Sequence, residues 1–569
     1  MWKYVSNSLL CRFLIFVYNL FCNAYNNSFI NKCIKTISTW NKGSSTYKVI
    51  QNYISRGPKY AFSVTYRFLA FLGNKLDMLA SSINSAYTKA YKNSLLCKIY
   101  KRIIGLGEKC FGKRYKVAFF IILAIILCLL TLFLPKIAVV GIIGLLAAIF
   151  ILRDFERAAY LVGIYPILYY IAVSTNIGSL ASIWDELLII FCVGVWFYRW
   201  LVDRRDFSFA WTPVDFSLIL FFFVAIVLFV LTSFDSVGFA GIRANIEYLI
   251  FFFIVVKLLR SEDGAKNLIK IMIYTGIFMS IVGIYQVIAN VPTPSYWTDK
   301  AEVTAGPRAF SIVGNPNVLG CLLVMLIPLA ISLIFSEKRI LQKLLYTFAA
   351  GVMGICLLLT GSRSSWIAVS IAMIIYAILS KKYKLIIGLG VVAVLAYSFV
   401  ETVQLRINYL LNPEYIASSF RGGRFVKWGK ALDMFFANIL FGVGFGQFGG
   451  AVATKMVRGA SYVDNFYLKA AVEMGIFGVT TFLIALYNAI VWPLRAIKKV
   501  EDKVSKGIIQ SGFGALIGIL FTNILLNNFD APSVTTYFWV ISGVCVYLGF
   551  VKKGPHNVLT NIIDKNQKA

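Results

Sequence analysis

Long apolar runs alternate with short polar segments along this chain, from about residue 117 to its end. Many of these runs are long enough to cross roughly 30 Å of hydrocarbon as α-helices. Strand-like alternation at the spacing of an outer-membrane barrel is not evident. The pattern therefore predicts an all-α, polytopic membrane protein. Judged by length and flanking charge, about fourteen transmembrane helices are predicted, at 117–134, 137–152, 158–174, 181–201, 216–233, 242–259, 268–289, 318–336, 345–360, 366–380, 385–400, 466–494, 508–527 and 536–551.

The charges between these runs predict a topology. If the basic N-terminal region is cytoplasmic, the even-numbered junctions carry basic phrases such as RDFER, EKRILQK and RAIKKVEDKVSK. This agrees with the positive-inside rule. The odd junctions then face outward, and they include residues 290–317, the GSRSSW turn, the long loop 401–465 and the NNFDAPS turn. We expect a multi-pass protein of the cytoplasmic (inner) membrane with its active site on the extracytoplasmic face.

Composition supports a membrane protein, because 59% of the 569 residues are hydrophobic and only 14% are charged. The net charge is +31, and residues 1–116 alone hold 19 basic residues against Asp77 and Glu108. Since these charges are interleaved with apolar residues, they predict helices on an anionic lipid surface rather than nucleic-acid binding. Three regions follow: a basic amphipathic region at 1–115, a membrane domain at 116–554 and a cytoplasmic tail at 555–569.

Residue types that are rare or missing limit the chemistry. The one histidine, His556, falls in the predicted cytoplasmic tail, so neither a Ser-His-Asp relay nor a histidine-rich zinc site is expected outside. Neither a phosphate-binding Walker loop nor a dinucleotide fingerprint occurs. We therefore expect no cofactor and no metal, with energy supplied by an activated substrate or a gradient. The ten cysteines avoid the predicted outward loops, so structural disulfides are not expected.

Arg363 lies in the phrase TGSRSSW, where the ninth predicted helix ends and the tenth begins. An arginine at a membrane edge can simply extend its charge to the lipid headgroups. Three neighbouring serines favour an anion site instead, because hydroxyls and a guanidinium together suit a phosphate or an oxyanion.

A second basic phrase, RGGRFVKWGKAL, begins at Arg421. Two glycines separate Arg421 from Arg424 and allow the backbone to approach a ligand closely. Trp428 follows four residues after Arg424, on the same face of a helix, and suits either an interfacial anchor or stacking on a sugar. The outward loop 401–465 carries seven basic and four acidic residues, which favours an anionic ligand.

Asp464 and Asn465 stand directly before the helix predicted at 466–494. At a helix start, either residue can cap exposed backbone amides. The alternative is a carboxylate general base close to arginines. Those positive charges would favour the charged carboxylate and weaken it as a base. A weak base suffices if the reaction centre gains oxocarbenium character.

Two glycine-containing phrases predict turns. In GPRAFSIVGNPNVLG, Pro316 presets a turn that Asn315 and Asn317 can hold, and Arg308 makes it a third wall of an anionic site. The phrase FGVGFGQFGG predicts a turn or a re-entrant piece. Since no predicted strand precedes its glycine spacing, it is not taken as a nucleotide site.

In their order and spacing, these pieces resemble the O-antigen ligase and O-antigen polymerase family of bacterial membrane glycosyltransferases. The matching phrases are RAFSIVGNPNVLG, TGSRSSW, RFVKWGKAL with GVGFGQF, and DNFYLKAAVEMGIFG, within residues 210–550. The resemblance implies the helical fold of lipid-sugar glycosyltransferases (GT-C type), without metal or nucleotide. It also implies transfer of a glycan from undecaprenyl diphosphate to an acceptor hydroxyl.

By position, Arg363 and Arg424 match the arginines that hold the diphosphate in the ligases, and Asp464 stands where a histidine activates the acceptor. The aspartate weakens the case for a lipid A ligase, so polymerization of lipid-linked repeat units is the preferred reaction. The predicted catalytic residues are Asp464, Arg363 and Arg424. The predicted substrate-binding residues are Arg308, Asn315, Asn317, Arg421, Trp428 and Asn465.

Three alternatives stay open: a ligase acting on another acceptor, a lipid-linked glycan flippase and a non-catalytic scaffold. Charged residues inside predicted helices, namely Glu247, Lys469 and Glu473, are typical of transporters, but no matching half-repeat is evident. Polysaccharide-assembly proteins are possible partners of any of these.

Overall fold

The computed structural model describes residues 64–93, 151, 154–174, 183–201, 211–292, 307–410 and 423–551. All of them belong to one compact unit, Tyr60–Ala569. Every regular element in these ranges is helical, which confirms the predicted all-α class.

The principal helices in chain order are α1 Val64–Asn93, α2 Ala158–Gly163, α3 Tyr165–Ser174, α4 Trp184–Leu201, α5 Asp215–Thr232, α6 Ser236–Ile246, α7 Ile250–Leu258, α8 Glu262–Ile288, α9 Pro316–Ser336, α10 Ile340–Leu359, α11 Arg363–Ser380, α12 Lys384–Phe399, α13 Glu401–Leu410, α14 Arg424–Ala437, α15 Ala451–Met456, α16 Phe466–Ala496, α17 Lys503–Leu525 and α18 Pro532–Val546.

Nine spans in the described residues are long and apolar enough to cross a membrane. They are α5, α6 continued through α7, α8, α9, α10, α11, α16, α17 and α18. Two pairs bent at a short break, the α2–α3 region at 70° and α12–α13 at 91°, raise the number to eleven. The chain is thus a multi-pass membrane protein. The predicted span 117–134 and nearly all of 137–152 lie outside the described residues, so the count of about fourteen stays a prediction.

Some boundaries differ from the predicted ones. The span predicted at 242–259 begins earlier, at Ser236, because the Asp235 carboxylate accepts a hydrogen bond from the Gly238 backbone N–H at 2.6 Å and caps the helix. The span predicted at 181–201 is the helix α4, which carries three charged side chains. Such charges are costly in a bilayer unless they are paired.

The outward loop predicted at 401–465 is not one loop, because it contains α13, α14 and α15. Helix α14 places Arg424 and two lysines among apolar residues, of which Phe425 and Phe436 are exposed. An amphipathic helix of this kind suits the boundary between the bilayer and water.

The centre of the helical unit is formed by α9 and α18, whose apolar side chains are mostly buried, together with α17, whose buried residues include Ile508, Leu516 and Ile519. Helix α17 approaches α11 closely, since a Cβ added at Gly514 would lie 2.5 Å from the Ala372 carbonyl oxygen. Small residues permit such close packing between membrane helices. Because α11 begins at Arg363, this packing fixes the position of that residue.

Contacts between loops define two ends of the unit. At one end, Lys266 forms an ion pair with Asp502 at 3.2 Å and Glu337 pairs with Lys270 at 3.7 Å. Although burial raises the pKa of Asp502, hydrogen bonds from Ser505 and Lys266 outweigh it and the pKa is lowered. The segments that carry the predicted site residues lie at the other end.

Candidate functional site

The turn between α10 and α11 is built by glycine and serine. Gly361 has a positive φ of 62°, which lets the chain reverse directly into α11. The Ser362 hydroxyl lies 2.9 Å from that of Ser365 and 3.3 Å from that of Ser364. Two of these hydroxyls, those of Ser362 and Ser365, are buried. The turn therefore presents backbone and hydroxyl groups beside Arg363, the first residue of α11.

Arg308 lies against this turn. Its Nε donates to the Thr360 carbonyl oxygen at 2.8 Å, and a terminal nitrogen donates to the Asn317 side-chain oxygen at 3.2 Å. The Ala309 backbone N–H donates to the Leu359 carbonyl oxygen at 3.0 Å and ties the two segments together. Arg308 is buried, so its guanidinium is held in one orientation.

Arg406 also lies in this group, although its sequence context did not predict it. A Cβ added at Gly361 would lie 3.3 Å from Arg406 Nε and 3.5 Å from Arg308 Nε, so both guanidinium groups border the same glycine. A terminal nitrogen of Arg363 donates to the Arg406 carbonyl oxygen at 3.4 Å. The sharp bend between α12 and α13 brings Arg406 here. The available signal was a basic residue six positions after a long apolar run, in a segment already predicted to face outward.

Asn315 and Asn317 have distinct structural roles at the start of α9. The Asn315 side-chain oxygen accepts hydrogen bonds from the backbone N–H groups of Asn317 at 2.8 Å and Val318 at 3.3 Å, which makes it the helix cap. Pro316 occupies the first turn, where a missing N–H costs nothing. Asn317 instead orients Arg308.

The three predicted residues Arg308, Asn317 and Arg363 and the unpredicted Arg406 form what we call the arginine cluster.

A second group forms around the start of α14. Arg424 Nε lies 3.5 Å from the Asp464 carboxylate, and both side chains are partly exposed. Trp428 lies one helical turn along, with its ring 5.8 Å from that of Phe425. Its indole N–H is buried and has no hydrogen-bond partner among the described residues. We call Arg424, Trp428 and Asp464 the loop pair group. Arg421 lies outside the described residues.

Asn465 is the cap of α16, since its side-chain oxygen accepts a hydrogen bond from the Leu468 backbone N–H at 3.0 Å. Asn465 is buried, and the helix cap is one of the two roles that its position before the helix predicted. Its neighbour Asp464 makes the ion pair with Arg424 instead. The cap therefore fixes where the Asp464 side chain leaves the backbone.

The glycine-rich loop at 441–450 packs against a break in α16. Gly475 has a φ of 59° and a ψ of −169°, which interrupts the helix and frees backbone groups for other partners. The Val443 N–H donates to the Val472 carbonyl oxygen at 2.9 Å, and the Gly444 N–H donates to that of Glu473 at 3.1 Å. The predicted turn is thus anchored on the same helix that Asn465 caps.

A buried ion network that was not predicted from the sequence lies next to this loop. Lys469 Nζ donates to Asp530 at 2.5 Å and lies 3.6 Å from Glu473. Asp530 also accepts hydrogen bonds from the Ala451 backbone N–H at 2.9 Å and from Asn527 at 2.8 Å. All three charged side chains are buried, so the network joins α16, the end of the glycine-rich loop and the NNFDAPS turn.

Tyr462 connects that turn to the loop pair group. Its hydroxyl donates to the Asn527 carbonyl oxygen at 3.2 Å. Burial raises the pKa of Tyr462, and the charges of Asp530 and Asp464 raise it further. This phenol therefore stays protonated at physiological pH and acts as a hydrogen-bond donor.

The same NNFDAPS turn lies between the two groups. Asn528 bonds to the Thr522 hydroxyl at 3.0 Å, and that hydroxyl lies 3.8 Å from the Cys321 sulfur in the first turns of α9. Gly320 packs on Ser365 and Ser362 of the turn before α11. A continuous set of contacts thus runs from the arginine cluster to Tyr462, beside Asp464, at one end of the unit.

Carboxylates that could share a metal ion lie elsewhere. In the described part of the chain, only Asp185, Glu186 and Glu247 bring three such groups within 4.8 Å of one another. They belong to neither the arginine cluster nor the loop pair group. The prediction that the reaction needs no metal remains a prediction.

A family model described as O-antigen ligase matches residues 348–483. A search of curated proteins finds no match to this chain. The matched segment holds Arg363, Arg406, Arg424 and Asp464 but not Arg308. The predicted resemblance to the O-antigen ligase family is therefore confirmed for this part of the chain.

Proposed function

We propose that this protein joins an undecaprenyl-diphosphate-linked oligosaccharide to an acceptor hydroxyl on the outer face of the cytoplasmic membrane. The observation that carries the proposal is the arginine cluster, where Arg308 and Arg406 border Gly361 and Arg363 lies beside them. Three guanidinium groups and two buried hydroxyls around one turn suit a diphosphate, which offers several anionic oxygens.

The arginines have a chemical role in this reaction. As the anomeric carbon leaves the diphosphate, negative charge grows on the leaving oxygen. Fixed guanidinium groups stabilise that charge without having to reorganise. Arg308 is already oriented by Thr360 and Asn317, so little ordering is needed when the substrate binds.

The loop pair group supplies the acceptor side in this proposal. Asp464 takes the proton from the acceptor hydroxyl or binds a sugar hydroxyl while the leaving group drives the step. The buried Trp428 N–H, with no described partner, can donate to a sugar oxygen, and the ring offers a face for stacking. Arg424 holds Asp464 in place before the substrate arrives. Arg421, though outside the described residues, is proposed to add to the positive charge.

Polymerization of lipid-linked repeat units is the proposed reaction. An aspartate at position 464, where the ligases carry histidine, is the feature that favours it over transfer to lipid A. Ligation to another acceptor is the alternative within the same chemistry. A lipid-linked glycan flippase is the alternative of another class, and the buried Lys469, Glu473 and Asp530 are the charged residues that it would use.

Glycan profiling after deletion of the gene tests the proposal. We expect the deletion strain to carry single repeat units on the lipid carrier and to lack long chains. Long chains stranded on the carrier would point to a ligase. Repeat units trapped on the cytoplasmic face would point to a flippase and would contradict the proposal.

A further inference from the structure

A cluster of three carboxylates around one guanidinium lies between α4 and α6. A terminal nitrogen of Arg243 lies 3.2 Å from Asp185 Oδ1 and 2.5 Å from Glu186 Oε1, and its Nε lies 3.0 Å from Glu247 Oε2. The Tyr248 hydroxyl donates to Asp185 Oδ2 at 3.1 Å. Arg243 thus approaches one oxygen of each acid and leaves the other oxygens facing elsewhere.

The charges in this cluster do not balance. Among the described residues these three carboxylates meet one guanidinium, so if all three are ionised, two negative charges are left in excess. The side chains of Asp185 and Glu247 are each only 7% exposed, and both lie in helical segments of the membrane domain. Buried charge of one sign is costly unless a counter-ion or a proton compensates it.

Three buried oxygens beside the excess charge have no hydrogen-bond partner in the described part of the chain. They are Glu186 Oε2, Glu247 Oε1 and the Tyr165 hydroxyl. Tyr165 is fully buried, and its ring lies 6.3 Å from that of Tyr248, whose hydroxyl donates to Asp185. Since buried polar groups are almost always partnered, oxygens left open by three separate residues indicate a bound species.

We propose that Asp185, Glu186 and Glu247 bind a hard divalent cation of the Ca²⁺ or Mg²⁺ type, opposite Arg243. Carboxylate oxygens are the ligands that such ions prefer, and two positive charges match the excess. The Tyr165 hydroxyl bonds a water of the ion's shell. This site is separate from the arginine cluster, and no step of glycosyl transfer passes through the ion.

The position of the site gives it a structural purpose. Gly241 of α6 lies directly against the glycine-rich loop, since a Cβ there would be 2.2 Å from the Gly446 nitrogen. At the start of the same helix, Asp235 accepts a hydrogen bond from Gln447 at 3.3 Å. An ion that ties Glu247, the residue directly after α6, to α4 therefore braces the helix on which this loop rests.

Terbium binding tests the site directly, because Tb³⁺ replaces Ca²⁺ and emits when an excited tryptophan is close. Trp184 precedes Asp185 and its ring lies 5.0 Å from that of Tyr165, so it serves as the antenna. The full chain, stripped with chelator and held in discs of zwitterionic lipid, is titrated with Tb³⁺. We expect saturable sensitised emission that Ca²⁺ or Mg²⁺ displaces, and an affinity at least tenfold lower in Glu247→Gln.

The control variant is Glu262→Gln, at the opposite end of the unit beside Lys266, which should bind Tb³⁺ as the wild type does. Equal affinity in Glu247→Gln and wild type would overturn the proposal. If Glu247→Gln does not fold, the Tm of the wild-type protein is measured with and without Ca²⁺ or Mg²⁺ and at acid pH. A Tm that rises with Ca²⁺ or Mg²⁺ supports the ion, whereas a Tm indifferent to both and raised by acid indicates protons in its place.

Discussion

The Arg424 guanidinium lies 3.5 Å from the Asp464 carboxylate, although α14, the glycine-rich loop and α15 separate them along the chain. Both side chains are partly exposed, and an ion pair of that kind adds little to stability. Its value lies in orientation, because it holds a candidate base and a candidate phosphate ligand together. Because the two side chains hold each other, substitution of either one should also disturb the other.

A double-mutant cycle tests that relationship. We expect Arg424→Ala and Asp464→Ala each to lower the rate of chain extension strongly. The double variant should lose less than the product of the two single losses, with a coupling of about 0.5–3 kcal/mol, because each single change already disorders the partner. Rates are measured on purified protein with lipid-linked repeat units. Strictly multiplicative losses would mean that the pair does not act as a unit.

The chemistry of Asp464 is tested by two substitutions of different character. Asp464→Asn keeps the shape and removes the base, so the rate should fall by roughly 10²–10⁴. Asp464→His should retain more activity than Asp464→Asn, because imidazole can also accept a proton. Asp433→Asn, at an exposed acid on α14, is the matched control. Full activity in Asp464→Asn would remove this residue from the reaction.

The buried Lys469 should be important for stability. Lys469→Met leaves Asp530 and Glu473 buried without their cation, so we expect the free energy of unfolding to fall by about 3–5 kcal/mol. Thermal unfolding in detergent measures the change. Lys455→Met, at an exposed lysine of α15, should leave the Tm nearly unchanged. A similar Tm for both variants would show that the network is not a structural support.

The break in α16 should depend on glycine. Gly475→Ala meets both a positive φ and a Cβ position only 2.4 Å from the Leu440 carbonyl oxygen, so it should destabilise the protein by at least about 1–3 kcal/mol. Gly351→Ala in α10 has open space and an ordinary helical backbone, and should be neutral or stabilising by about 0.5–1 kcal/mol. Equal unfolding temperatures in the two variants would contradict this account of the break.

Much of the membrane architecture could be predicted, because apolar length and flanking charge are local properties. The helix caps were also within reach, since Asn315 and Asn465 each stand just before an apolar run. Arg406 was missed because only the bend between α12 and α13 brings it to Gly361. The partners of Lys469 were missed for the same reason, as Asp530 approaches it only through the packing of α16 on the NNFDAPS turn.

The break at Gly475 had no clear signal either. The apolar run around it continues without interruption, so hydropathy predicts one helix from 466 to 494. What decides the break is a long-range contact, because the backbone N–H groups of Val443 and Gly444 donate to the carbonyl oxygens of Val472 and Glu473, just before Gly475. Pairings between distant segments are set by the whole fold rather than by local propensity.

Replacement of Arg363 by lysine tests the central claim most directly. Arg363→Lys keeps the charge and loses the planar fork, so we expect chain extension to fall by roughly tenfold to a hundredfold at normal protein level. Arg339→Lys, at an exposed position at the start of α10, is the control and should behave as wild type. The measurement is the profile of lipid-linked and surface glycans in cells carrying each variant. The account predicts single repeat units with few long chains for Arg363→Lys, and full-length chains in that strain would contradict it.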